Sequence, residues 1–282
     1  MNDMQDVGFA GSEALQPVLS VEDVTLQYRT RENVVTATHR VSFDVYPAER
    51  FVLLGPSGCG KSTLLKAVAG FIAPVEGKIR LNGAACDEPG PDRMMVFQEF
   101  DQLLPWKTVL HNVTFPMSKT HRFPRREIKE RALAAIEKVG LSLFRDAYPH
   151  TLSGGMKQRV AIARATVMEP DVLLMDEPFA SLDALTRNRM QDDLLRLWDD
   201  IRFTVLFVTH SIEEAIIIGS RILILSPHPG RVQAELNSGM FEREHQGAGE
   251  FERLQKRIHH LLFAQPVERT GSGAALKAVL HE

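Results

Sequence analysis

Cysteine is scarce in this 282-residue sequence. Cys59 and Cys86 are too few for a disulfide framework and point to a reducing compartment. Long apolar runs are missing as well. None approaches the ~20 residues that span a bilayer, so any membrane role must be peripheral. The opening residues Met1-Asn2-Asp3-Met4-Gln5-Asp6 lack the basic start and apolar centre of a signal peptide, and a cytosolic chain is expected. Positive charge is not in excess either. A formal net charge of −3 gives no support to non-specific nucleic-acid binding, and no nucleic-acid partner is expected. No internal repeat is visible. What is present, 44% hydrophobic and 24% charged residues, is ordinary for a globular protein with a substantial core.

The stretch Gly55-Pro56-Ser57-Gly58-Cys59-Gly60-Lys61-Ser62-Thr63 fits G-x-x-x-x-G-K-[ST], the loop that wraps a nucleotide's phosphates. Phe51–Leu54 before it reads as a short buried strand, and Leu64–Ala69 after it as the first turns of a helix. Glycines let successive backbone N–H groups converge on anionic oxygens, and the helix N-terminus adds its positive end. Lys61 is placed to reach the β and γ phosphates, and the Ser62 hydroxyl to sit on Mg²⁺. Cys59 lies inside the loop as a small, tolerated side chain.

Along the chain, residues 1–17 are polar, small and without period, and read as a loose tail. Val18–Val21, Val24–Tyr28, Val34–Ala37, Val41–Val45 and Lys78–Leu81 are short, β-branched segments of antiparallel type, the last followed by an Asn82-Gly83 turn. The region from about 100 to 165 is mostly helical in pattern; Arg126–Val139 has helical apolar spacing and stops at Gly140. Then the texture alternates. Strands are expected at Val172–Met175, Thr204–Thr209 and Ile222–Leu225, with helices at Leu185–Trp198 and Ile212–Ile218, which argues an α/β fold with a parallel sheet covered on both faces. Beyond Gly230 the signal fades until Glu250–Ala264, one apolar helical face that suits packing on its own domain or a partner surface.

Ligands of parallel sheets gather at the carboxyl ends of strands. Three strands end in polar groups: one in the phosphate loop, one in Asp176-Glu177, one in Thr209-His210-Ser211. An aspartate behind apolar residues matches the second motif of phosphate-loop proteins, so Asp176 is assigned to Mg²⁺. On extended backbone Glu177 points the other way and is assigned to the attacking water. A neutral His210 there can hydrogen-bond the γ-phosphate or the water. Gln98, after a strand, suits metal ligation or water positioning, though alone it is background. In Leu152-Ser153-Gly154-Gly155-Met156-Lys157-Gln158-Arg159, Ser153 reads as an N-cap opening a helix, a second anion site. Either it binds an unrelated anion, or it closes on the nucleotide of a neighbouring copy in a head-to-tail homodimer.

Taken together and in order, the phosphate loop, Gln98, Leu152–Gln158, Asp176-Glu177, Ser181-Leu182-Asp183 and His210 resemble the ATP-binding cassette (ABC) ATPases over residues 18–231. The resemblance implies a P-loop NTPase fold with a mostly parallel core sheet, an antiparallel β subdomain and a helical subdomain at about 100–165. It implies an ATP-binding domain over 18–238, with 239–282 as a C-terminal helical extension. It further implies that Tyr28 stacks on adenine, that Ser181–Asp183 touch the opposite subunit, and that Ser153 and Gly155 contact the partner's γ-phosphate; a plain strand-surface role for Tyr28 stays open. Two departures are visible: Met156 where the commonest signature has glutamine, and Ala48-Glu49 where Gly-Glu is frequent before the phosphate-loop strand.

Only about 90 residues separate Ser62 from Leu152, with a single cassette, so the resemblance favours a transporter ATPase over DNA-repair or translation proteins. Phe97–Val109 and Met175–Asp183 resemble the nitrate/sulfonate/taurine importer branch. That implies a Mg-ATP-hydrolysing homodimer on the cytoplasmic face of the cell membrane, with separate permease subunits and, indirectly, a periplasmic or lipoprotein solute-binding protein. Phe100, Leu103, Leu104 and Trp106 suit either a groove for the permease's coupling helix or subdomain core. An exporter or lipid-transfer ATPase, or a non-hydrolysing regulatory module, are the alternatives.

Overall fold

The computed structural model describes residues 16–29, 33–99, 102–238 and 248–263. The expected tail, apart from its last two residues, and Phe100 lie outside these, as does most of the C-terminal extension.

Among the described residues the strands form two sheets. The first is antiparallel, in the order β2-β1-β4-β5, from β1 (Leu19–Arg29), β2 (Val34–Val45), β4 (Glu76–Leu81) and β5 (Ala84–Ala85). Four of the segments read as separate strands are two long ones. The register slips where Asp23 and Arg40 each adopt φ 48°, and these bulges interrupt the alternation without ending the strand.

The second sheet has the order β10-β9-β3-β8-β7-β6. Its strands are β3 (Arg50–Leu54), β6 (Arg93–Val96), β7 (Val172–Asp176), β8 (Val205–Thr209), β9 (Arg221–Leu225) and β10 (Val232–Asn237). Five run parallel, and β10 returns antiparallel along β9. The central strands are apolar at nearly every position because both faces are covered. Their side chains divide by the two-residue period. Val52, Leu54, Leu173, Met175, Phe207 and Ile222 enter a core shared with the helices. Phe51, Leu53, Leu174, Leu206, Val208 and Leu223 enter a second core shared with the first sheet and α1 (Lys61–Val68).

The helical part comprises α2 (Val109–Thr120), α3 (Arg125–Lys138) and α4 (Gly154–Thr166), which pack on one another. Gly140, at φ 69°, turns the chain after α3, as its position predicts. Leu103 is buried in the helical core, whereas Trp106 is 70% exposed. Helices α5 (Ala184–Ile201) and α6 (Ile212–Ile218) follow β7 and β8. Helix α7 (Ala248–Phe263) buries Leu254, Ile258 and Leu262 in the helix-side core, against α6 and β9. Its apolar face is therefore internal to the chain.

Ala48, at the family's usual glycine, has φ 55°, a left-handed conformation that glycine adopts without steric cost. In the second sheet, β8 lies between β3 and β7, pairing Leu54 with Thr209 and Asp176 with Val208. The chain's three polar strand ends thus share one rim.

Candidate functional site

The phosphate loop leaves β3 at Gly55 and closes on α1. Gly58 (φ 79°) and Gly60 (φ 96°) hold conformations that side chains resist. A Cβ on Gly60 would lie 2.6 Å from the Ala37 carbonyl oxygen of β2, so the loop is pressed against the first sheet. Gly60 is the N-cap of α1 and offers no side-chain acceptor, leaving the first-turn N–H groups to a ligand. Lys61 is 4% exposed, and its Nζ donates to the carbonyls of Gly55 (2.8 Å) and Pro56 (2.9 Å). Those are acceptors that phosphate oxygens can replace. Cys59 is buried beside it, and burial pushes its thiol pKa up, which makes it a packing group and not a reactive one.

At the end of β7, Asp176 is held by the Ser62 hydroxyl, which donates to its Oδ1 at 2.7 Å. Burial is the main influence on this carboxyl and raises its pKa, with the Glu177 charge adding to it and the Ser62 bond, Lys66 and Lys61 opposing it. A buried carboxylate paired with a hydroxyl is a hard-oxygen donor set that a small divalent cation fits. Among the described residues no three His, Cys, Asp or Glu side chains converge to form a metal cage, so an ion here needs oxygens from its ligand.

Glu177 corrects one expectation. Its backbone is not extended but left-handed, φ 43°, while its amide still donates to Val208 O at 3.0 Å. That turn, uncommon for a side-chain-bearing residue, separates the two carboxylates. Asp176 goes to Ser62, and Glu177 goes to His210, whose Nδ1 lies 2.7 Å from its Oε2. With Glu177 ionised, Nδ1 carries the hydrogen. The Nε2 of a neutral ring is then an acceptor, so neutral His210 can take a hydrogen bond from water but cannot donate one to phosphate. A ring protonated on both nitrogens would donate from Nε2 and accept nothing.

Gln98 stands exposed just beyond β6 on a loop braced by two residues to which the sequence reading gave no individual role, Gln102 and Gln158. Gln102 Nε2 donates to the carbonyls of Phe97 (2.9 Å) and Glu99 (3.0 Å) and to Gln158 Oε1 (3.3 Å). Gln158 is fully buried in α4, so the Gln98 loop is tied to the helix that opens at Ser153. A glutamine at a core-facing helix position was the available signal. Ser153 caps α4 by accepting from the Met156 amide at 3.3 Å. A Cβ on Gly155 would lie 3.1 Å from Thr186 Cγ2 of α5. No hydrogen bond among the described residues joins Ser153, Gly154 or Gly155 to the phosphate loop. Asp183 is the exposed N-cap of α5; it accepts from the Thr186 amide at 3.0 Å, and that bond lowers its pKa. Tyr28 stands half exposed on β1, paired with Val35.

A phosphate loop, a buried aspartate on its serine, and a Glu–His pair on adjacent strand ends define a phosphate-loop nucleotide-binding protein. Residues 38–180 match the family model described as ABC transporter. The chain is 44% identical over 86% of its length, and 91% of the relative's, to an uncharacterised ABC transporter ATP-binding protein of Methanocaldococcus jannaschii. It is 48% identical over 80% of its length, and 86% of the relative's, to the taurine import ATP-binding protein TauB of Rhizobium johnstonii. The bicarbonate transport ATP-binding protein CmpD of Synechocystis is 42% identical over 80% of each chain. Among solved structures, a dimeric ATP-binding cassette in a post-hydrolysis state with ADP and Pi aligns at TM-score 0.67 and 30% identity, covering 78% of this chain and 98% of that one. This chain belongs to the ABC transporter ATPase family and is an ATP-hydrolysing transport subunit.

Proposed function

We propose that the chain energises uptake of a small anion, such as nitrate, a sulfonate or taurine, through a separate permease at the cytoplasmic face of the membrane. The observation that carries the hydrolytic part is the rim where Lys61, Ser62, Asp176, Glu177 and His210 meet. The anion class draws on the relatives named for taurine import and bicarbonate transport. Among the described residues no helix is long and apolar enough to cross a membrane, in keeping with a permease that is another polypeptide.

In this reading Lys61 transfers its donors from the loop carbonyls to phosphate oxygens, with Tyr28 stacked on the adenine. Ser62, Asp176 and Gln98 would hold Mg²⁺, which when bound neutralises charge on the phosphates. Glu177 orients the attacking water and draws on its proton. His210, joined to Glu177 through Nδ1, holds that carboxylate in place, with Nε2 left to face the γ-phosphate side of the site. Positioning and charge neutralisation supply most of the rate. Ser153, Gly154 and Gly155 cap the nucleotide of a second copy, with Asp183 at the same interface, so two ATP molecules lie between two chains. A solute-binding protein delivers the anion from outside.

The test is reconstitution with a candidate partner permease and solute-binding protein, in proteoliposomes supplied with ATP and Mg²⁺. ATP-dependent accumulation of labelled taurine, nitrate or bicarbonate that requires the binding protein is the expected result. ATP-dependent movement in the opposite direction, without a binding protein, would assign the chain to an exporter.

A further inference from the structure

Gln98 sits between two backbone carbonyls that one side chain grips. Gln102 Nε2 donates to Phe97 O at 2.9 Å and to Glu99 O at 3.0 Å, one on each side of Gln98 in the chain. The other end of the same amide, Oε1, accepts from the Phe97 N–H at 3.2 Å. Gln102 thus closes a clasp across the backbone that carries Gln98.

Two side chains of α4 fasten that clasp. Gln158, fully buried, accepts a third contact from Gln102 Nε2 on its Oε1 at 3.3 Å and sets its own Nε2 3.5 Å from Phe97 O. Arg164 donates from Nη1 to the Gln102 carbonyl at 2.8 Å. Gln102 is therefore held by its side chain and by its backbone. The orientation of its amide follows from the donor count. Nε2 carries two hydrogens and faces three oxygens, while Oε1 faces an N–H, so turning the amide over would set an oxygen against three acceptors. Filling space does not require that match. Glu99 is exposed, and water could serve the carbonyls of such a loop. What the side chain adds is one fixed arrangement of the backbone on either side of Gln98.

We propose that Gln102 is a positioning residue for Gln98: its donors fix the backbone of Phe97–Glu99 and so set the direction of the Gln98 side chain, with Gln158 and Arg164 as anchors. The proposal rests on the role given to Gln98 in the hydrolytic reading above and adds the group that holds Gln98 to that task. Partners that orient a ligating side chain are typically worth 10–100-fold in metal affinity or activity. Gln102 acts through the peptide groups it grips.

The test uses the full chain and two variants. Gln102→Leu removes the clasp, and Gln102→Glu keeps its shape but, as a carboxylate, can only accept. In the nucleotide-free protein, hydrogen exchange at the Phe97 amide should quicken in Gln102→Leu, because its acceptor is gone. In both variants kcat for ATP hydrolysis should fall about tenfold, while ATP affinity measured in EDTA stays within about twofold of wild type. The glutamate variant decides the matter if leucine unfolds the chain. Adding Gln102→Leu to Gln98→Ala should slow turnover no further, because the clasp acts through Gln98. Unchanged exchange at Phe97, wild-type kcat in Gln102→Glu, equal losses of metal-free ATP affinity and kcat, or losses that multiply in the double variant would overturn the proposal. Gln98→Ala separates the two levels. If it is slow while both Gln102 variants turn over normally, only this inference fails, whereas wild-type turnover in Gln98→Ala removes the role of Gln98 and the clasp with it.

Discussion

Replacing Gly60 by alanine should damage the phosphate loop far more than the same change at Gly58. Both residues have positive φ, 96° and 79°. Alanine at such angles costs roughly 1–2 kcal/mol, partly offset by about 0.4–1 kcal/mol from the stiffer unfolded chain. At Gly58 that is all, because nothing lies within 4 Å of the added methyl. At Gly60 the methyl would meet Ala37 O at 2.6 Å and Thr38 Cγ2 at 2.8 Å. The first is backbone inside β2 and cannot swing away, so the overlap adds about 1–3 kcal/mol. Net losses of about 1 kcal/mol for Gly58→Ala and about 2–4 kcal/mol for Gly60→Ala follow. At roughly 2–4 °C per kcal/mol for a chain of this size, nucleotide-free thermal unfolding should separate the two variants by several degrees. ATP affinity should follow the same order, since the displaced amides are those that face the phosphates. Equal melting temperatures for the two variants would refute the steric reasoning.

Asp176→Asn keeps an acceptor for Ser62 and removes a buried charge. A carboxyl whose folded pKa lies above its ordinary value of 3.8 costs nothing at low pH, begins to cost as pH rises past the ordinary value, and costs in full above the folded one. The variant should therefore be more stable than wild type in chemical denaturation at pH 7, lose that advantage on acidification, and hydrolyse no ATP; an advantage that grows with acid would contradict the assignment. Ile258→Ala, at a fully buried position of α7, should cost about 2–5 kcal/mol in urea denaturation, whereas a negligible loss would return α7 to a partner surface. Ala48→Gly, at φ 55°, should stabilise the chain by up to about 1 kcal/mol without altering turnover, and a loss of stability would count against the conformation there.

The three strand ends were legible because buried parallel strands write themselves as unbroken apolar runs, and a polar group after such a run stands out. Val172–Asp176 and Val205–Thr209 both read that way. Their spatial order did not show: nothing local says that β8 lies between β3 and β7, which is what brings His210 to Glu177. Strand β10, Val-Gln-Ala-Glu-Leu-Asn, has little apolar signature because among the described residues it is an edge that pairs with β9 alone, and its existence depends on that partner. The bulges at Asp23 and Arg40 made two strands look like four. In the site, the motifs named the residues proposed to face a nucleotide. They did not show that Gln102 reaches Gln158, a contact between segments far apart in the chain.

The most direct test of the two-copy site is the mass of Glu177→Gln in solution, by light scattering, with and without ATP. The account predicts a monomer without nucleotide and a dimer with ATP, trapped because water is no longer activated. Lys61→Ala, which loses the phosphate contacts, should stay monomeric in both. Failure of Glu177→Gln to dimerise with ATP, or ATP-dependent dimerisation of Lys61→Ala, would contradict it.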